Sequence, residues 1–438
     1  MNMLNIFDWN TLNERQRDAC LQRPSIQRDP QVASAVTDII ARVRGDGDSA
    51  VAELGQRFDG VVAEPLEIAA ELWAHAEQSL PAELLTAMHN AARRIRRFHE
   101  QAKPQGFVVD TADGVECQMQ YRPIGTVGLY VPAGTAPLPS TVLMLAIPAR
   151  IAGCRKLVLC SPPDRKDSQG KPDAAVLAAA KLCGVDQVFA IGGAQAIAAM
   201  AYGTEMVPRC DKLFGPGNRF VTEAKQQVSI DAAGAAIDMP AGPSEVLVIA
   251  DDTARPDWIA ADLLSQAEHG PDSQVMLVCT DAAIATAVQA ALEDQLSRLG
   301  REATAREALQ DSRAIVVNDL EQALAVSNLY APEHLIISTD HAAELVAQVQ
   351  CAGSVFVGQH TPESLGDYCS GTNHVLPTAG WARSHGSLST ADFMLRMTVQ
   401  QATPAGLANI GPDAAIIADH EQLQAHAEAV RLRLRSMA

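Results

Sequence analysis

From about Asp110 onward the chain alternates short, unbroken Val/Ile/Leu runs with stretches of helical period, and this alternation constrains the fold most. The runs are 127–131, 157–160, 188–191, 246–250, 275–279, 315–317, 335–337 and 355–357. Most lack a polar face, as parallel strands do when helices cover both sides. Between them, Ile284, Val288, Leu292 and Leu296 step by four and Gly300 follows, a helix and its stop. The pattern predicts an α/β protein: two doubly wound, Rossmann-like parallel-sheet domains with helical N- and C-terminal arms. The expected divisions are 1–110 (helical), 111–239 (first α/β domain), 240–380 (second α/β domain with the polar loops) and 381–438 (helical arm).

At 438 residues the chain is too long for one ordinary core, which agrees with several units. Val32, Val36, Ile39, Ile40 and Val43 form one stripe of a helix that Gly45 is expected to end. A boundary is expected near Pro240-Ala241-Gly242-Pro243. Leu423, Ala427, Val430 and Leu434 mark a narrow apolar stripe on a terminal helix, which must pack on something, for instance a neighbouring subunit.

A formal charge of -18 argues against a nucleic-acid partner, which needs a basic surface. The local run Arg93, Arg94, Arg96 and Arg97 reads as a solvated helix face. Nine cysteines, an odd number without a Cys-x-x-Cys pair, suit reduced thiols better than a disulfide framework. The apolar run 142–149 contains Pro148 and meets Arg150, well short of the roughly 20 residues a bilayer span needs. Met1 to Asp18 has no basic segment followed by an apolar core. The expectation is a cytoplasmic protein without a membrane or nucleic-acid partner.

Three polar segments border the apolar runs: Ser265-Gln266-Ala267-Glu268-His269-Gly270, Pro332-Glu333-His334, and Gly366-Asp367-Tyr368-Cys369-Ser370-Gly371-Thr372-Asn373-His374. Gln266 and His269, three apart, share one face in the last turn of a helix opened by Pro256, where exposed carbonyls favour a cation. Taken alone, His269 reads first as a capping imidazole. Glu333 and His334 stand at the start of a strand, where an imidazole takes and returns a proton and a carboxylate activates water; a surface loop pair is the plainer reading. The third segment reads as a loop, with Asp367 and His374 its reactive members, and loops at the ends of parallel strands often hold sites. His426 alone is a surface or interface histidine. No Gly-x-Gly-x-x-Gly follows a strand. The nearest substitutes, Gly192-Gly193 and Gly215-Pro216-Gly217-Asn218, could offer helix N-terminal N–H groups to a pyrophosphate, or be routine turns. The residues alone therefore point to a metalloenzyme on an α/β scaffold.

From about Tyr121 to the C-terminus the chain closely resembles the histidinol dehydrogenase family, and the N-terminal helices are compatible with it. The resemblance is carried by Val127-Gly128-Leu129-Tyr130-Val131-Pro132, Gly192-Gly193-Ala194-Gln195-Ala196, Phe214-Gly215-Pro216-Gly217-Asn218, Met239-Pro240-Ala241-Gly242-Pro243-Ser244-Glu245, and the segments 265–274, 331–335 and 366–377. It implies one zinc ion per subunit on Gln266, His269, Asp367 and His426. It also implies substrate contacts from Ser244, His334, His374, Glu421 and the four zinc ligands, and NAD contacts from Tyr130, Gln195 and Asn218. The implied reaction converts L-histidinol to L-histidine at the end of histidine biosynthesis, consuming two NAD by way of a bound aldehyde. Glu333 and His334 are its implied acid–base residues.

The resemblance further implies a homodimer whose exchanged C-terminal arm brings Glu421 and His426 to the partner's site. Residues five apart on an ideal helix point about 140° apart, so Glu421 is expected in or before the first turn. The segment 382–389 follows the family pattern only loosely. Two other readings compete with this one. Oxidation of a different small diol is disfavoured by Ser244, His374, Glu421 and His426 together. A zinc hydrolase would use Glu333 without a nucleotide.

Overall fold

The computed structural model describes residues 3–24, 29–62, 64, 66–133, 137–164, 166–239 and 242–437. Pro240 and Ala241 of the expected boundary lie outside these.

Two parallel sheets form the body. The six-stranded one runs β1 (Asn5–Asp8), β11 (Arg313–Val316), β10 (Gln274–Cys279), β9 (Glu245–Ala250), β12 (His334–Ser338), β13 (Ser354–Val357). The five-stranded one runs β6 (Gln187–Ala190), β5 (Lys156–Ser161), β4 (Thr126–Tyr130), β7 (Lys212–Phe214), β8 (Ala236–Ile237). Every residue of β9, β10 and β12 is buried, as two-sided helical cover requires. In each sheet the winding reverses direction once, between β9 and β12 and between β4 and β7. These are topological switch points of the doubly wound plan.

All eight apolar runs form strands, but the expected helical region 1–110 also contains β1, which extends the far sheet beside β11. Its four residues alternate too briefly to show a period. A third sheet is antiparallel, in the order β14 (Met394–Ala402), β3 (Val115–Pro123), β2 (Phe107–Ala112). It makes the arm beyond Gly380 part strand rather than wholly helical. β3 is rich in Gln and Glu and shows no apolar run, whereas Phe107-Val108-Val109 of β2 is a short apolar run that the expected helical region passed over.

The stripe Val32 to Val43 is buried, but the helix does not end at Gly45. It runs as Pro30–Asp59 with a break at Gly47 (φ 55°) and stops at Gly60 (φ 79°). The arginine run 93–97 lies on the exposed face of helix Ala82–Gln101. All nine cysteines are free thiols. Among the described residues no helix is long and apolar enough to cross a membrane. The terminal helix Gln424–Met437 packs on Pro404–His420, with Val430 and Leu434 against Gly411. Helix Pro404–His420 starts against the turn at Gly114, and Ile416, Ile417, Val108, Leu395 and Leu432 are exposed.

Candidate active site

The reactive side chains of the second half gather at the amino edge of the six-stranded sheet. Glu245 and His334 are the first residues of adjacent strands β9 and β12. Helix Pro256–Ala267 leaves β9 and returns to that edge, so Gln266 lies in its last turn and His269 just past its cap, Glu268. The segment 366–373 is not a loop throughout: Gly366 and Asp367 belong to helix Glu363–Tyr368. A Cβ on Gly366 would come within 2.6 Å of the Phe356 ring, so glycine lets this helix lie against β13. The Phe356 ring in turn stacks on His334, 5.9 Å between centroids.

His334 is fixed from both sides. Its Nδ1 lies 3.0 Å from the Glu245 carbonyl, which can only accept, so Nδ1 carries a proton. Nε2 lies 3.2 Å from Asp367 Oδ1, an acceptor too, so in this arrangement both ring nitrogens donate. Burial opposes charge on this imidazole, but Glu333, Asp367 and Glu363 together outweigh it and the net shift is upward. Glu333 Oε2 accepts the Glu245 N–H at 2.7 Å and lies 3.6 Å from His334 Nδ1. Burial raises the Glu333 carboxyl despite the neighbouring imidazole. Asp367 is buried too, yet the hydrogen bond and charge of His334, with His374 and His269, bring it below the ordinary range. Burial lowers His269, partly opposed by Asp367. His374 donates from Nδ1 to the Asp367 carbonyl (2.9 Å), and its Nε2 lies 3.3 Å from Thr141 Oγ1.

Thr141 joins the two sheets. It stands near the N-terminus of helix Pro139–Ala152, which follows β4, and Asn373 donates to Met144 O in the same helix at 2.7 Å. The carboxyl edge of the five-stranded sheet thus meets the amino edge of the six-stranded one. At that carboxyl edge Tyr130 ends β4, Gln195 lies in the first turn of helix Gly193–Tyr202, and Asn218 caps helix Arg219–Ile230. Tyr130 Oη accepts the Gly193 N–H at 3.0 Å. Asn218 Oδ1 accepts from Phe220 and Val221, so the leading N–H groups at both glycine turns already have partners. Gly215 (φ 120°) brings the second turn against β4; a Cβ there would fall 2.1 Å from the Tyr130 carbonyl.

Of the residues the resemblance named, Glu333, His334, Asp367 and His374 come together, and His269 interacts electrostatically with Asp367 and His334. Ser244 directly precedes β9 at the same edge. Glu421 and His426 do not join them within one chain. Glu421 caps helix Pro404–His420 and His426 lies in the first turn of the next helix, both exposed on the arm. Among the described residues no three His, Cys, Asp or Glu side chains form a ready metal cluster. Gln266 Oε1, however, is buried without a partner, an acceptor whose burial a cation would offset. Gln266, His269 and Asp367 offer nitrogen and oxygen donors of the kinds zinc accepts. The Gln195 amide is likewise buried with both polar atoms unpartnered, which fits a ligand contact.

Sequence reasoning passed over Glu363, whose carboxyl burial pushes up to about 8 and whose Oε1 takes the Ser265 hydroxyl. It passed over Arg23 as well. Glu363 stands four residues before Asp367 on one helical face, a faint signal; Arg23 carried none.

Two doubly wound sheets meeting over a buried imidazole–carboxylate cluster define an α/β enzyme. Residues 21–434 match the family model for histidinol dehydrogenase. The histidinol dehydrogenase of Xanthomonas euvesicatoria pv. vesicatoria (strain 85-10) is 56% identical over 431 residues, 98% of this chain and 99% of that protein. That of Vibrio parahaemolyticus serotype O3:K6 is 52% identical over 429 residues, 98% of each. The crystal structure of histidinol dehydrogenase from Elizabethkingia anophelis shares the fold at TM-score 0.94 and 42% identity, covering 100% of this chain and 99% of that one. The chain belongs to the histidinol dehydrogenase family and is an oxidoreductase.

Proposed function

We propose that the chain oxidises L-histidinol to L-histidine by way of bound L-histidinaldehyde, with one zinc ion per subunit and two NAD per turnover. The observation that carries this reading is the fixed orientation of His334 beside Glu333, in a member of this family. When bound, zinc would hold and polarise the substrate, and NAD would accept the two hydrides.

With Nδ1 tied to the Glu245 carbonyl, Nε2 is the atom of His334 that would take the hydroxyl proton, once Asp367 is turned from it to the zinc. Glu333 holds Oε2 against the Glu245 N–H, which leaves Oε1 to activate the water that would hydrate the aldehyde. Burial raises its carboxyl, which strengthens it as a base. His334 then serves the second oxidation. Holding the aldehyde at one site between steps keeps a reactive carbonyl from escaping. Gln266, His269 and Asp367 would hold the zinc with His426 of the arm. Ser244, His374 and Glu421 would read the imidazole and amine of the substrate, a group at His374 Nε2 replacing the Thr141 hydroxyl. Tyr130, Gln195 and Asn218 would contact NAD.

The arm's exposed Glu421 and His426 support a homodimer in which each arm completes its neighbour's site, as do the uncovered Ile416 and Ile417. A cytoplasmic location fits this biosynthetic role. The test is the amount of NADH formed per histidinol consumed, with and without a chelator. A ratio of two that collapses on chelation supports the reading. A ratio of one, or no NADH, overturns it.

A further inference from the structure

Beneath Glu333 and His334 lies a buried ion pair. The Arg23 guanidinium grips Glu245 with two bonds, Nε to Oε1 at 2.5 Å and Nη2 to Oε2 at 2.9 Å, with side chains only 9% and 4% exposed. The same Nη2 donates to the carbonyls of Tyr330 (2.9 Å) and Ala331 (3.3 Å), and the guanidinium lies 3.9 Å over the Tyr330 ring. Ala331 adopts a left-handed backbone (φ 54°), the turn that launches Pro332-Glu333-His334. On the other side, the Ala379 N–H donates to Glu245 Oε1 at 2.8 Å.

Glu245 meets both acid–base residues through its main chain alone. Its carbonyl accepts from His334 Nδ1 and its N–H donates to Glu333 Oε2. Anything that shifts the start of β9 relative to the 330–331 turn therefore moves both contacts together. Arg23 spans that gap. A buried ion pair is seldom the most stabilising choice for such a position, since apolar replacements are often as stable; its value lies in fixed two-point geometry.

We propose that Arg23 and Glu245 are positioning residues that set the register and tautomer of the Glu333–His334 pair. The proposal rests on the reading of His334 as the base. It assigns the N-terminal segment a part in the chemistry, although that segment supplies no reacting atom.

The test compares wild type with Arg23→Lys, Arg23→Ala and Glu245→Gln, each at matched zinc content. Arg23→Ala is expected to lower kcat about 10²-fold and Arg23→Lys about tenfold, with KM for histidinol within about twofold. Methylguanidinium added to Arg23→Ala is expected to recover part of the loss. In 15N spectra of histidine-labelled protein, neutral His334 is expected as one Nδ1–H tautomer in wild type and as a mixture in the variants. A merely structural pair would lower Tm and leave kcat per zinc-loaded site within about twofold, with the tautomer unchanged; that result overturns the proposal. If Arg23→Ala does not fold, Arg23→Lys and Glu245→Gln decide. Should wild type form no NADH from histidinol, the functional reading fails, and the tautomer still judges the clamp.

Discussion

At the carboxyl edge of the five-stranded sheet the residues named for NAD are uncharged, namely Tyr130, Gln195 and Asn218, and the charged pair at the Gly215 turn, Lys225 with Asp238, is closed on itself. At the amino edge of the six-stranded sheet the polar groups are carboxyls and imidazoles: Glu333, His334, Glu363, Asp367 and His269. Helix direction accounts for the contrast. Helices leaving a carboxyl edge present their N-termini, whose partial positive charge suits an anionic dinucleotide. Helices arriving at an amino edge, here Pro256–Ala267 and Leu320–Tyr330, present carbonyls that favour a cation or a protonated group. Doubly wound proteins usually bind ligands at carboxyl edges alone. Under the proposed function, facing one edge of each kind would put an anionic cofactor and a cationic centre side by side.

The sharpest test of this division is His334→Asn. Loss of the base is expected to slow both oxidations about 10³-fold with zinc content and NAD affinity unchanged, measured by NADH formation and metal analysis. If NAD affinity fell as well, the two edges would not be functionally separate.

A second test contrasts imidazoles. His334 has a partner on each ring nitrogen, whereas His99, buried in helix Ala82–Gln101, has none among the described residues. Burial lowers His99 from 6.5 to about 4, with Asp392 opposing weakly. Below pH 6.5 the unfolded chain takes up a proton that the folded protein refuses until about 4, so stability is full above 6.5 and declines across that window. Between pH 7 and pH 5, wild type is expected to lose about 2 kcal/mol more than His99→Leu in denaturant titrations. Equal losses would mean that His99 titrates normally.

The smallest expected effect is at the cofactor edge. Tyr130→Phe removes the acceptor of the Gly193 N–H and is expected to raise KM for NAD about fivefold with kcat little changed. A fall in kcat alone would move Tyr130 into the chemistry.

The body of the fold was legible because β4, β5, β6, β9, β10, β11, β12 and β13 are covered on both faces, and two-sided cover leaves continuous apolar runs. β7, three residues long, and β8, two residues long, are too short to carry a signal. β2 and β14 are largely exposed and β3 is mostly half-buried; in β3 and β14 the apolar residues are broken up by Gln, Thr, Arg and Glu, and in β2 the apolar run is only three residues long. Gly45 looked like a helix stop, but Gly47 makes the break, because its left-handed backbone sits where a Cβ would strike the Glu205 carboxylate. In the site, Glu333-His334 and Gln266-x-x-His269 were visible as local spacing. The use of an amino edge was not visible, because it depends on which way each helix returns.

The sequence by itself determined the class of fold, the strands of both parallel sheets that carry apolar runs, and the family. Each follows from local pattern or from long motifs in order. Only the tertiary structure decided that β1 joins a sheet whose other strands begin more than two hundred residues later, and that Arg23 clamps Glu245 beneath the acid–base pair. It also decided that two sheets meet by opposite edges. Those arrangements depend on contacts between residues far apart in the chain, and no local spacing encodes them.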